Sequence, residues 1–415
     1  MTQADERAPE RRPWDEVGSA GVSESKRYTL ENPLTLASGR VLGGVEVVYE
    51  TYGRLAEDRS NAVLICHALS GDAHVAGWRP GNRQSTGRPG WWDQMVGPGK
   101  AIDTEKLFVI CSNVLGGCSG TTGPASTDPS TSRPWGLRFP LITVEDMVDV
   151  QARLLDHLRI ERLASVVGGS MGGMQALAWV KRYPERVATC VADATTWRLG
   201  AQAIAFNEVG RRAILEDPDF AHGDYYGEER QPDSGLGIAR MVGHITYLSD
   251  ASMHEKFGRR LQSSGDYAYD FVTEFSVESY LAYQGRRFVE RFDANTYLYM
   301  TKAMDYFDLQ GDEPTLAKAL LGVSARFLVL SFSSDWLFPT ARSRELVSAL
   351  RENGSEVTFA EIPSDYGHDA FLLEPEAQHR MIAPFLAHAA ERESLAIAVK
   401  TASSGDAAAS QAGAR

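Results

Sequence analysis

No run in these 415 residues approaches the roughly 20 consecutive apolar positions of a membrane-spanning helix, so helical membrane insertion is excluded. Basic residues are in the minority. Lys and Arg number 42 against 55 Asp and Glu, a formal net charge of -13, and no basic footprint for general nucleic-acid binding exists. An anionic small ligand is not excluded, because a few local cations outweigh a distant field. Cysteine is scarce. Cys66, Cys111, Cys118 and Cys190 have no metal-ligand spacing, and no metal site is expected. Cys66, Cys111 and Cys190 lie in or at the end of apolar runs and read as buried free thiols in a reducing cytoplasm. The opening MTQADERAPERRPWDE lacks the apolar stretch of a secretory signal. Neither a nucleotide-binding loop nor an internal repeat occurs.

What is present is an ordinary globular composition, 43% hydrophobic and 23% charged, long enough for one large α/β domain with insertions or for two domains. Residues 1–27 are polar and read as a disordered tail. From Tyr28, short apolar runs (VEVVYETYG, NAVLICHALSG, KLFVICSNVLGG, RVATCVADAT) have the character of buried strands, and they alternate with helical stretches such as TVEDMVDVQARLLDHL. Thr143 with Asp146 three residues on forms a capping-box pattern at that helix's start. Two long loops, 72–104 and 116–140, are of the length that carries function. From 197 to 315 strand-like runs largely give way to helical ones, a helical lid inserted into a core of 28–196 and 316–394. Strands then resume with ARFLVLSF and SEVTFAEI, and the Ala/Ser/Gly-rich residues 395–415 read as a second disordered tail. The alternation predicts a mostly parallel sheet with helices on both faces.

The chain is organised around LASVVGGSMGGMQALAW. Gly168, Gly169, Ser170, Met171 and Gly172 fill the G-x-S-x-G nucleophile-elbow pattern between an apolar strand and a helical stretch. The glycines allow a turn so tight that the serine is lifted out of the sheet in a strained conformation. A serine hydroxyl does not ionise near neutrality, so an imidazole must take its proton and a carboxylate must orient the imidazole. Asp335 follows ARFLVLSF and His368 follows SEVTFAEI, which gives the serine, acid, histidine order of the α/β-hydrolase fold. Asp365 is the rival acid, but it shares a loop with His368. The oxyanion donors expected are the backbone N–H groups of Met171 and of Leu69, in the loop after an earlier strand, with His67 packed beneath that loop and no metal ligand. These residues alone reach serine acyl-transfer chemistry, which hydrolysis by an esterase or thioesterase shares.

The segments GGSMGGMQALAW, NVLGGCSGTTGP, PGWWD and GPGK, ARMVGHITYLSD, ANTYLYMTKAMDYFD and GHDAFL, spread from Tyr28 to Ala390, resemble the homoserine O-acyltransferases of methionine biosynthesis (the MetX type). The resemblance implies an α/β-hydrolase with a helical lid, a homodimer through lid helices, and no bound cofactor. It implies ping-pong transfer of an acyl group from acyl-CoA to L-homoserine, with Ser170 acylated and His368 acting as base and then acid. Arg240 would hold the homoserine carboxylate and Asp369 its amino group, since a zwitterion wants one fixed cation and one fixed anion. Succinyl-using relatives tend to carry Arg directly after the Asp-Trp of the acid loop. Leu337 stands there in this chain and implies acetyl-CoA as the donor in preference to succinyl-CoA. Arg79 and Arg198 remain as other cations that a succinyl carboxylate could use.

Overall fold

The computed structural model describes residues 15–79, 87–262 and 265–412, with only the backbone course given for the last helix beyond residue 394. Its main sheet has eight strands: β1 (Lys26–Thr29), β2 (Glu46–Tyr52), β3 (Ala62–Cys66), β4 (Phe108–Ser112), β5 (Ser165–Gly169), β6 (Thr189–Asp193), β7 (Arg326–Phe332) and β8 (Val357–Ile362). Their order is β1-β2-β4-β3-β5-β6-β7-β8. β2 runs antiparallel to both β1 and β4, and from β4 to β8 every pairing is parallel. The residue pattern explains this. β3, β5 and β6 are buried at every position, as continuous apolar strands must be when both sheet faces are covered.

Helices α1 (Val144–His157) and α2 (Met171–Arg182) flank β5 in the chain. α3 (Ala201–Leu215), α4 (Asp233–Tyr247), α5 (Asp250–Lys256), α6 (Ser276–Val289) and α7 (Ala294–Tyr306) fill the interval between β6 and β7. α8 (Thr340–Glu352) follows β7, and α9 (Pro375–Ala412) closes the chain. Alternate residues of β3 divide between the two faces. Leu64 and Cys66 join a core with Met147, Leu177 and Leu350 of α1, α2 and α8, whereas Val63 and Ile65 pack with Trp92, Phe371 and Ile382. The lid has a third core of its own, including Ile214, Leu236, Phe288 and Tyr297. All four cysteines are free, and Cys66, Cys111 and Cys190 are buried. Among the described residues no helix is long and apolar enough to cross a membrane.

Both tails differ from their composition. Residues 1–14 lie outside the described residues, but Val22 bridges Trp78, Ser23 Oγ lies 3.0 Å from His74 Nδ1, and Ser25 Oγ donates to Glu50 at 3.0 Å. Polar anchoring of this kind leaves no apolar signature to read. At the other end α9 continues through Ala412, across the expected disordered tail. Alanine lowers sequence complexity and is also the strongest helix former, so composition pointed the wrong way. The loop after β3 is in part a brace. Trp92 is fully buried with its indole N–H 3.3 Å from the Phe371 carbonyl, beside the His368 loop.

At the start of α1 the Thr143 Oγ1 accepts from the Asp146 N–H at 3.2 Å, and the Asp146 carboxylate accepts from the Thr143 N–H at 2.8 Å. Thr143→Ala should therefore cost about 1 kcal/mol, read as a small fall in melting temperature with catalytic rates unchanged.

Candidate active site

Ser170 follows β5 directly and has φ +57° and ψ -124°, a left-handed conformation that is costly for a residue with a side chain. Neighbouring strands over-determine it. Its N–H donates to the Asp193 carbonyl at 3.0 Å, and its carbonyl accepts from the Thr195 hydroxyl at 2.8 Å. The turn tolerates no side chain at two of its glycines: a Cβ on Gly168 would lie 2.0 Å from the Gly172 carbonyl oxygen, and one on Gly172 2.0 Å from that of Cys66. The serine thus stands at the carboxyl edge of the sheet, where the loops after β7 and β8 also emerge.

Those loops bring the other two residues to it. Ser170 Oγ lies 2.8 Å from His368 Nε2, and His368 Nδ1 lies 2.8 Å from Asp335 Oδ2. A carboxylate only accepts, so the imidazole carries its proton on Nδ1 and presents a lone pair to the serine. The second Asp335 oxygen accepts from the N–H groups of Leu337 (3.0 Å) and Phe338 (2.9 Å), which fixes the carboxylate plane. Asp365, the rival acid, is exposed, and its carbonyl accepts from the Ser249 hydroxyl. It takes no part in the relay. Met171 is the first residue of α2, where backbone N–H groups have no intrahelical partner. Leu69 lines the same cleft as Ser170.

The cleft is narrow, with a cavity of about 50 Å³, and includes Leu69, Ser170, Phe206, Tyr247, Leu337 and Phe338 in its wall. Leu337 therefore faces the space next to the nucleophile. Arg240, on α4, stacks its guanidinium over the rings of Phe288 (4.6 Å) and Tyr247 (5.5 Å). The Tyr247 ring in turn lies 6.0 Å from that of His368. Asp369 adjoins His368 and feels the Arg240 charge. The two alternative cations separate clearly. Arg79 is tied to the buried Glu50 at the sheet edge and is not in the cleft wall, whereas Arg198 lines an adjoining groove with Leu337 and Phe338.

The α/β-hydrolase fold family matches residues 61–375. A homoserine O-acetyltransferase of Methanohalobium evestigatum is 55% identical over 370 residues, 89% of this chain and 74% of that one. A homoserine O-succinyltransferase of Bordetella pertussis is also 55% identical, over 88% of each chain. The chain belongs to the homoserine O-acyltransferase family. Among solved structures, homoserine O-acetyltransferase from Bacillus anthracis superposes with a TM-score of 0.81 at 30% identity, covering 88% of this chain and 98% of that one. Esterase E22 gives 0.80 at 29% identity, covering 88% and 100%.

Two features of this family member escaped the sequence reading. Tyr247 lies seven residues, two helical turns, beyond Arg240 on α4, so helical spacing alone places it on the same face. Asp193 ends β6 fully buried, with neither carboxyl oxygen hydrogen-bonded among the described residues. No pattern in RVATCVADAT distinguishes it from a strand-end turn former. Burial, and then the Asp335 charge, push its pKa well up. For His368 burial works against the imidazolium, but the charge and hydrogen bond of Asp335, with the Asp369 charge, outweigh it and raise the pKa above 6.5.

The consequences have opposite signs on pH. His368 accepts the serine proton only when neutral, so kcat/KM should fall on the acid side through a pKa above 6.5. Asp335→Asn should move that limb to lower pH and cut kcat by about 10⁴-fold, read from pH–rate profiles. The Asp193 pKa is raised on folding, so its contribution to stability falls as pH rises above the unfolded value of about 4. Asp193→Asn should raise the melting temperature at pH 8 by about 2–4 °C per kcal/mol gained, with no gain at pH 4.

Proposed function

We propose that this protein transfers an acyl group from acyl-CoA to the hydroxyl of L-homoserine in methionine biosynthesis, by a ping-pong route and with acetyl-CoA as the preferred donor. The observation that carries this is the Ser170–His368–Asp335 relay, with both links at 2.8 Å, opening on a cleft beside Arg240 and Asp369. Ser170 Oγ attacks the thioester carbonyl while His368 Nε2 takes its proton. The developing oxyanion is met by the Leu69 and Met171 N–H groups. CoA leaves as the thiol, receiving the proton from His368, and the acyl group remains on Ser170. The homoserine hydroxyl then gives its proton to His368 and attacks the acyl carbon. Collapse releases the O-acyl amino acid and returns the proton to Ser170.

Arg240 receives the homoserine carboxylate and Asp369 its ammonium, so the hydroxyl is presented to the acyl-enzyme in one orientation. Burial raises the Asp369 pKa against the lowering by His368, Arg240 and Lys256, and a bound ammonium favours its ionised form. Leu337 offers the acyl group an apolar wall. A succinyl carboxylate buried there would need a cation; in the adjoining groove, which Arg342 also lines, Arg198 sits over Trp197 with Asp308 at 4.0 Å. The lid exposes Val209, Ile238, Ile245 and Tyr283 on α3, α4 and α6, which supports a homodimer formed through these helices. Light scattering should return twice the monomer mass. A cytoplasmic location follows from the same biosynthetic reading.

Hydrolysis is the second reading, favoured by the similarity to esterase E22. CoA release that depends on homoserine supports transfer; the same release without homoserine supports hydrolysis. With both donors in hand, kcat/KM for acetyl-CoA should exceed that for succinyl-CoA at least about tenfold; the reverse order assigns the succinyl reaction. Ser170→Ala should abolish both turnover and the acyl adduct seen by mass spectrometry. Arg240→Ala should weaken homoserine use about 10–100-fold, the worth of a charge-assisted hydrogen bond, and leave the acylation burst near normal.

A further inference from the structure

His67 is buried, lies outside the catalytic relay, and has every polar atom in use. Its Nε2 is 3.1 Å from the Val114 backbone nitrogen, and its Nδ1 is 2.7 Å from the Ala68 carbonyl oxygen. A backbone N–H can only donate, so Nε2 holds the lone pair and the proton sits on Nδ1. Burial lowers the His67 pKa, which favours the neutral ring. Nδ1–H therefore donates to the Ala68 carbonyl, which also accepts from the Gly71 N–H at 2.9 Å. The ring is wedged under the loop: a Cβ on Gly71 would approach His67 Cβ to 2.8 Å.

The direction of these bonds matters. In a trans peptide the carbonyl and the following N–H point opposite ways, and the described chain has no cis peptide. Whatever anchors the Ala68 carbonyl inward therefore aims the Leu69 N–H outward. The His67 carbonyl is held in turn by Gln175 Nε2 at 3.1 Å, and the same Nε2 reaches the Met171 carbonyl at 3.3 Å. One buried amide thus ties the loop that carries Leu69 to the helix that carries Met171. We infer that His67 is a positioning residue for acyl transfer: its imidazole, through the Ala68 carbonyl, aims the Leu69 amide at the oxyanion. This rests on Ser170 being the acylated nucleophile and on Leu69 N–H being an oxyanion donor.

Two substitutions separate this role from simple packing. An Asn side chain places an amide N–H where Nδ1 stands and keeps the Ala68 bond. Gln reaches the Nε2 position, so it keeps the Val114 bond and loses the Ala68 bond. His67→Gln should slow both the acylation burst with acetyl-CoA and the homoserine step by about 10²-fold, with homoserine KM within about threefold. His67→Asn should recover at least tenfold of that loss, whatever the order of the two melting temperatures. Equal losses, or rates that track melting temperature, overturn the inference. Should His67→Gln not fold, nitrogen NMR of the neutral wild-type ring decides: an Nδ1–H tautomer is expected, and an Nε2–H tautomer overturns it. A wild type that forms no acyl adduct sinks the acyl-transfer reading and this inference together. Adducts formed equally fast in wild type and both variants sink this inference alone.

Discussion

The conformation of Ser170 is the constraint on which the rest depends. A serine at φ +57° is stable only if the strand before it, the helix after it and the strand beside it are already in place. β5 delivers it, α2 leaves at once through glycines packed on the Cys66 and Gly172 carbonyls, and β6 holds its N–H. The sheet's burial on both faces supplies the rigidity that keeps this strain from relaxing. The nucleophile is therefore a property of the whole sheet, and local sequence supplies only the permission to turn.

The second layer is electrostatic. Two carboxyl groups, Asp335 and Asp369, act on the buried His368 imidazole, and a third, Asp193, feels the Asp335 charge. Asp335 has a hydrogen bond to His368 and two backbone N–H donors. Asp193 has none of these, and desolvation disfavours its charge. The relay thus holds one oriented carboxylate where the imidazolium will form, through a hydrogen bond and backbone donors that Asp193 lacks.

Much of this was legible in the chain, and the pattern of what was not is physical. Glycines that cannot carry a Cβ leave a local signature, as do apolar runs buried on both faces and a Thr-x-x-Asp cap, so the elbow, the central strands and the start of α1 could be read. The order of Ser170, Asp335 and His368 was legible because topology places all three at strand ends. The anchoring of residues 15–25 was not, because it uses Ser23 and Ser25 against His74 and Glu50, partners 25 or more residues away. Asp193 and His67 were opaque for the same reason: their chemistry lies in what surrounds them. His67 packs under its loop as expected, but its tautomer is set by the Val114 amide on another loop.

The relay itself does not distinguish transfer from hydrolysis, since esterase E22 superposes nearly as well as an acetyltransferase. Choice of acceptor must lie in what stands over the acyl-enzyme. In this chain that is a lid whose α4 carries Arg240 and Tyr247 and whose end clasps the histidine loop: Gly367 packs against the Tyr247 carbonyl, Ser249 bonds Asp365, and Trp336 of the acid loop donates to the Leu248 carbonyl. Arg240, over the Tyr247 ring, and Asp369, beside His368, stand close to these contacts. Water needs neither charge and gains nothing from them. In the roles proposed for Arg240 and Asp369, an amino alcohol would gain both, and its hydroxyl would be brought within reach of the imidazole by interactions that do not touch the reacting atoms. Under that proposal, selectivity for transfer would come from binding energy spent on orientation, with the triad chemistry left the same as a hydrolase's.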